Sequence, residues 1–312
     1  MIMIKDSKIC KMLGIKYPIF QGPMAWISDA PLAAAVSNAG GLGIISAGMA
    51  PPEWVRDQVK QAKKLTKKPF ALNVLLVNPD ADKIADIVIE EGVRVVTTGA
   101  GSPAKYMKKW KEAGVIVIPV IASVALARMM QRSGADAVVA EGMEAGGHVG
   151  ETTTMCLIPQ VVDALDIPVI AAGGIADWRG VAAVRMLGAD AVQLGTRFLV
   201  AAECRVHPNF KQMVLNAKDI STIVTGKRLG HPVRSLKTTM SRDFFQKEYD
   251  TTISNEELED MAKGTFRKAV EDGDEEGGCF LCGQIAGMVK REQTCKEIIE
   301  EIFDEVQKRG IA

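Results

Sequence analysis

From Pro18 to Arg197 the chain alternates short apolar runs with longer stretches of mixed character. The runs are Pro18–Gln21, Gly43–Ser46, Phe70–Val74, Val93–Thr97, Val115–Val120, Ala137–Ala140, Val169–Ala172 and Ala191–Leu194. They recur at roughly 20 to 30 residues, which leaves room for one helix between successive parallel strands. The intervening segments carry helical periodicity and start signals. Ser28-Asp29-Ala30-Pro31 precedes Leu32–Asn38, and Pro51-Pro52-Glu53 precedes Trp54–Leu65. Gly92-Val93, Gly114-Val115, Gly134-Ala135-Asp136 and Gly188-Ala189-Asp190 each end a helix and open an apolar run. Eight such units predict an α/β chain closed into a (β/α)8 TIM barrel. An open doubly wound sheet seldom runs to eight evenly spaced units.

After the eighth strand the repeat is lost. Residues 204–290 are polar and read as a small, mostly helical cap over the barrel mouth, on the substrate side. Residues 1–203 form the barrel in this reading. Residues 291–312 return to it as a final helix, with Ile298, Ile299, Ile302, Phe303 and Val306 on one face of Glu297–Lys308.

Composition narrows the classes. Lys+Arg and Asp+Glu both number 38 in 312 residues. No global field draws the protein to nucleic acid or to a membrane surface. The start, Met1 to Lys8, breaks into charge too early for a signal peptide. The nearly apolar run from Val115 to Ala127 contains Pro119 and Ser123, and reads as a buried strand entering a helix. The expected setting is the cytoplasm. Six cysteines in a chain this long predict free thiols. Cys279-Phe280-Leu281-Cys282 has metal or redox spacing but no second pair to complete a site, so no metal is expected. Glu271 to Gly278 reads as an exposed acidic turn.

The chemistry gathers at the carboxyl ends of the predicted strands, where barrel enzymes work. Strand 6 runs into Glu141-Gly142-Met143-Glu144-Ala145-Gly146-Gly147-His148, a glycine-rich loop holding one of only three histidines. A histidine there is suited to proton exchange near neutral pH. Strand 7 ends in Ala172-Gly173-Gly174, and strand 8 in Gln193-Leu194-Gly195-Thr196. The loops after strands 7 and 8 are the usual phosphate cradle of such barrels. The mouth is rich in Met, Ala and Gly, with amides at Gln21, Asn73 and Gln193. That lining suits a flat heterocycle such as flavin mononucleotide (FMN) better than a small sugar phosphate.

Five stretches carry a family resemblance: Pro18–Trp26, Val95–Gly101, Ala140–His148, Ala171–Asp177 and Val192–Phe198. Gly230-His231-Pro232-Val233-Arg234 and Gly283-Gln284-Ile285-Ala286-Gly287 extend it into the cap. The chain resembles the FMN-dependent enoyl-acyl-carrier-protein reductases II (FabK), within the nitronate monooxygenase-like flavin barrels. The resemblance implies NAD(P)H-dependent reduction of a trans-2-enoyl-acyl carrier protein through FMN, the last step of fatty-acid elongation. It makes His148 the proton donor, the stabiliser of the enolate, or both. It assigns FMN contacts to Gly22, Pro23, Met24, Asn73, Ala172, Gly173, Gly174, Gln193, Gly195 and Thr196. Glu141 either meets the flavin edge or orients the loop. Acyl carrier protein is the implied partner, with Arg228, Arg234 and Lys237 as candidates to receive it or as a solvated face. A homodimer is expected, and a monovalent cation is a further candidate cofactor. His231 is a substrate-side candidate, and His207 reads as structural. Cys279 and Cys282 depart from the family pattern and suggest a loop sensitive to oxidation.

The main rival is a nitronate monooxygenase, in which the histidine removes a substrate proton and oxygen reoxidises the flavin. A non-redox barrel isomerase and a non-catalytic flavin-binding module are the others. The cap motifs favour the reductase.

Overall fold

The computed structural model describes residues 7–310. The charged start read above as unlike a signal peptide lies outside them, apart from Ser7 and Lys8. Eight parallel strands form the centre: β1 (Ile19–Gln21), β2 (Gly43–Ser46), β3 (Phe70–Leu75), β4 (Val95–Gly99), β5 (Ile116–Ile121), β6 (Val138–Glu141), β8 (Val169–Ala172) and β9 (Ala191–Leu194). Between β6 and β8 the chain adds β7 (Gly147–His148), which is not a barrel strand. The order is β1-β9-β8-β6-β5-β4-β3-β2, and β2 returns to β1 through the Phe20–Leu42 bridge. The predicted (β/α)8 barrel is the fold.

Neighbouring residues along each strand divide between two environments, as a period of two requires. Phe20, Ile44, Ala71, Val95, Ile118, Val139, Ile170 and Ala191 meet in one cluster, which fills the barrel interior. Ile9 and Leu13 of the helix Lys8–Leu13 join that cluster and plug one end. Ile19, Ile45, Leu72, Val96, Val117, Val138, Ala171 and Val192 pack outward among the helices. Burying a large side chain of this kind stabilises by about 1.5–3 kcal/mol.

Strand entries are also fixed by repeated chemistry. Gly92, Gly114, Gly134 and Gly188 all have positive φ at helix ends. The Asp136 carboxylate accepts the Val117 N–H at 2.8 Å, and that of Asp190 accepts the Val169 N–H at 3.1 Å. The two Gly-Ala-Asp entries therefore latch their neighbouring strands in the same way.

Beyond β9 the chain is mostly helical, with Pro208–Leu215, Thr239–Glu248 and Asn255–Ala262 as its longer helices. One element departs from that expectation. β10 (Thr222–Thr225) and β11 (Val233–Leu236) form an antiparallel hairpin, and β11 also pairs with β7. A strand of the cap thus lies beside the loop that carries His148. The final helix, Cys295–Lys308, returns to Ala30–Asn38 and Trp178–Met186 on the barrel's outside. Tyr17 stacks on Phe303 there, with centroids 4.9 Å apart. No helix among the described residues is long and apolar enough to cross a membrane.

Candidate active site

The ends of β6, β8, β9 and β1 are adjacent in the sheet and bring most of the candidate residues to one place. Gly22 follows β1 so closely packed on β9 that a Cβ there would lie 3.3 Å from the Gly195 Cα. Its N–H donates to the Leu194 carbonyl at 2.8 Å. Gly173 and Gly174 follow β8 with φ of 88° and 75°. Two successive residues in the left-handed region call for glycine. A Cβ on Gly173 would meet the Gly142 carbonyl at 2.7 Å, so the β8 turn and the His148 loop press backbone on backbone.

Amides complete this lining. Asn73, on β3 across the mouth, donates to the Thr97 hydroxyl at 3.0 Å. Gln193 is 5% exposed, and its Oε1 is buried without a hydrogen-bond partner among the described residues. A buried amide oxygen without a donor is costly in a finished core. A ligand with N–H groups at its edge would satisfy it. Gln21, by contrast, is consumed by the protein: its amide nitrogen donates to the Ser28 hydroxyl at 2.8 Å, and its oxygen accepts the Ile44 N–H at 3.0 Å. Ser28 also receives the Met24 N–H at 2.8 Å, which fixes the Gly22–Pro23–Met24 turn. The Thr196 hydroxyl accepts the Gly283 N–H at 2.8 Å and ties the end of β9 to the cap. Glycines that let backbone approach closely, a tandem left-handed turn and an orphaned amide oxygen fit a flavin phosphate and a flat heterocycle.

The loop from Glu141 to His148 is clamped on two sides. On the barrel side, the Glu144 carboxylate accepts the N–H and hydroxyl of Thr154, the first residue of the helix Thr154–Ala164. A carboxylate at a helix N-terminus is favoured by the unpaired N–H groups and the dipole. The Gly173 carbonyl, 2.9 Å from the same Thr154 hydroxyl, shares its single proton with Glu144. On the cap side, Gly146 packs so tightly on Cys282 that a Cβ would lie 2.4 Å from its carbonyl carbon. The Gln284 N–H donates to the Glu144 carbonyl at 2.9 Å. β7 pairs antiparallel with β11, Val233 opposite His148 and Arg234 opposite Gly147.

His148 is exposed at the mouth, yet nearby protein dehydrates its ring, and that together with His231 lowers its pKa below the usual 6.5. His231, also exposed, stands on the turn between β10 and β11. That turn is rigid. Glu248, 3% exposed, accepts the N–H groups of Gly226 and Arg228 at 3.1 and 2.7 Å. Glu141 ends β6 opposite Ala172. Some of its surface is open to the mouth, but its carboxyl is dehydrated by burial and its pKa is pushed up to about 7. A carboxyl that shares its proton at neutral pH is a candidate acid in its own right.

Two expectations are corrected. Arg234 cannot receive an acidic partner, because it is 4% exposed and spends its guanidinium on the Met143 carbonyl and the Thr222 hydroxyl. Arg228 is exposed and keeps its charge at the surface, with its guanidinium donating to the carbonyls of Asp250 and Ile253 at 3.0 and 2.6 Å. The Cys279–Cys282 loop is not poised for oxidation: both thiols are free, burial pushes Cys279 up to about 11, and Cys282 is more strongly raised. The small, buried Cys282 packs against the His148 loop instead. Elsewhere, His207 caps Pro208–Leu215 by accepting the Asn209 N–H. The Asp274 carboxylate closes its own acidic turn by accepting the Gly277 N–H at 2.9 Å. No group of three or more His, Cys, Asp or Glu side chains among the described residues is arranged to hold a metal ion.

Sequence reasoning missed two strained residues at this mouth. Trp26 and Ala100, after β1 and β4, have φ of 63° and 56°. Non-glycine residues there cost about 1–3 kcal/mol each and gather at functional sites. Arg267 of the cap lies over the Trp26 ring, 4.9 Å from its centroid.

Comparisons with known proteins agree with this fold. The nitronate monooxygenase family model matches residues 6–305. The solved structure of FabK from Thermotoga maritima is 48% identical, with a TM-score of 0.94 and 97% of each chain covered. A nitroalkane oxidase from Streptomyces ansochromogenes is 29% identical, with a TM-score of 0.85, covering 96% of this chain and 98% of its own. A (3aS,4S,5R,7aS)-5-hydroxy-7a-methyl-1-oxo-octahydro-1H-indene-4-carboxyl-CoA dehydrogenase from Mycobacterium tuberculosis is 33% identical over 95% of this chain and 94% of its own length. The chain is an oxidoreductase that belongs to the nitronate monooxygenase family and is similar to FabK along its barrel and its cap.

Proposed function

We propose that this protein reduces the 2,3 double bond of a trans-2-enoyl thioester, carried by acyl carrier protein, with NAD(P)H as reductant and FMN as resident cofactor. The observation that carries this reading is the similarity to FabK across the cap as well as the barrel. The cap supplies β11, the strand beside His148.

Gly22, Pro23, Met24, Asn73, Ala172, Gly173, Gly174, Gln193, Gly195 and Thr196 would hold FMN, which supplies hydride transfer when bound. The glycine turns after β8 and β9 would take its phosphate on backbone N–H groups. The Gln193 oxygen would find its missing donor on the heterocycle. His148 acts on the other reactant. Hydride arriving at the β-carbon leaves negative charge on the thioester oxygen and α-carbon. A neutral imidazole donates its N–H to that oxygen and stabilises the charge as it develops. Its lowered pKa keeps His148 in this neutral form at pH 7. Delivery of a proton to the α-carbon falls to Glu141, whose carboxyl still carries a proton near pH 7, or to His148 in its protonated imidazolium form, which becomes neutral in giving the proton up.

The test is anaerobic NAD(P)H consumption by the FMN-loaded protein with and without a crotonyl thioester. Multiple turnovers that require the thioester support the reading. Flavin reduction that stops after one turnover, together with oxidation of an alkyl nitronate in air, would replace it with nitronate oxidation.

A further inference from the structure

We propose that Arg234, a cap residue, is a positioning residue for His148. The proposal rests on His148 acting in the reaction above.

The Gly142–His148 loop contains three glycines, at 142, 146 and 147. Glycines allow the close contacts that the loop makes with β8 and the cap, but they leave a free loop with many conformations. A side chain that must meet a reacting atom needs its backbone fixed from outside. Arg234 grips this segment twice. Its backbone stands opposite Gly147 in the β7–β11 pairing, one residue before His148. Its side chain reaches back to the start of the loop, where Nη2 and Nε donate to the Met143 carbonyl at 3.0 and 3.3 Å. Nη1 donates to the Thr222 hydroxyl on β10 at 3.1 Å, which gives the guanidinium a second partner on the hairpin.

The protein sustains this contact at a cost. Arg234 is buried without a hydrogen-bonded carboxylate among the described residues, and burial disfavours its charge. A buried guanidinium that spends its donors on a backbone carbonyl is poor value for stability alone. It is well suited to hold one carbonyl, and through it one loop, in a single place. A planar fork does this better than an ammonium, which has no fixed donor geometry. Apart from Glu141 at the end of β6, the FMN candidates lie on or just after β1, β3, β8 and β9, whereas the Arg234 side chain bonds to the His148 loop and β10. Its loss should therefore move His148 and leave the flavin in place.

The experiment compares wild type, Arg234→Met, Arg234→Lys and Thr222→Val as FMN-loaded proteins. It reads the NMR signals of labelled histidine rings together with kcat, KM and FMN affinity. The protein has three histidines, and His148→Asn assigns the relevant signal. Misplacing a catalytic group by 1 Å costs on the order of 100-fold, so Arg234→Met should lose about 10- to 100-fold in kcat. The His148 signal should be displaced, with FMN affinity and the His207 signal unchanged. Arg234→Lys should recover part of the rate, and Thr222→Val should show a smaller loss of the same kind. Wild-type kcat and a native His148 signal in a folded Arg234→Met protein would overturn the proposal. Should that variant fail to fold, native kcat and His148 signals in both Arg234→Lys and Thr222→Val would overturn it instead. A wild-type protein inactive on enoyl thioesters would overturn the proposed reaction, while the histidine signals would still decide the role of Arg234.

Discussion

The carboxylate of Glu144 accepts both the backbone N–H and the hydroxyl of Thr154, at 2.9 and 3.0 Å. One residue of the His148 loop is thereby fastened to the helix behind it, and Thr154 passes the constraint to Gly173. The cofactor turn and the histidine loop share a single anchor.

Thr154→Val keeps the volume but deletes the hydroxyl, removing the one proton that the Glu144 carboxylate and the Gly173 carbonyl share while leaving the Thr154 N–H on Glu144. The expected loss is about 1–3 kcal/mol of stability, read by denaturant unfolding with an unchanged slope. A variant as stable as the parent would remove this anchor from the account.

Gly173→Ala places a Cβ at φ of 88° and within 2.7 Å of the Gly142 carbonyl. The left-handed strain alone costs about 1–3 kcal/mol, and the clash displaces the turn. FMN retention should fall sharply. Flavin fluorescence on titrating the protein with FMN measures this, and parental affinity would contradict the cradle.

His148 titrates below the usual 6.5 because of dehydration and, second, the nearby His231. Replacement by His231→Gln should raise the His148 pKa, read from the pH dependence of its ring signals. The sign for stability follows. A depressed histidine pKa contributes stability that is fully present above the unfolded value of 6.5 and is lost as the pH falls below it through the lower folded value. An unchanged titration midpoint in His231→Gln would show that the two rings are not coupled.

Glu141 has the opposite linkage. Its pKa rises from 4.5 to about 7, so its contribution to stability is present below 4.5 and is lost as the pH climbs through 7. Glu141→Gln should therefore gain melting temperature relative to wild type between pH 5 and 8, by an increasing margin (roughly pH 4.5 to 7 is where the linkage acts). A constant difference across that range would mean that the carboxyl is ordinarily hydrated.

Much of the barrel was legible because its signals are local. Gly43–Ser46, Val169–Ala172 and Ala191–Leu194 are strands at the bounds their apolar runs predict. The apolar run predicts a strand from Val93, but that residue closes the preceding helix, its N–H bonded to the Val88 carbonyl, so β4 starts at Val95. The β10–β11 hairpin left a faint trace in Thr222-Ile223-Val224-Thr225 and the glycines at 226 and 230, hidden in a polar region. The two-residue strand β7 left none, since its existence depends on β11 far along the chain. Arg234 shows the same limit: its sequence neighbourhood resembles a basic surface, while its function as a buried strut depends on Met143, 91 residues away.

The most direct test of the central claim is the second half-reaction. The FMN-loaded protein is reduced anaerobically, freed of excess NAD(P)H, and mixed with a crotonyl thioester while the flavin's visible absorbance is followed. The account predicts rapid return of the oxidised spectrum with one saturated thioester formed per flavin, and a large slowing in His148→Asn. A flavin that stays reduced with the thioester and is reoxidised only when oxygen is admitted would contradict it.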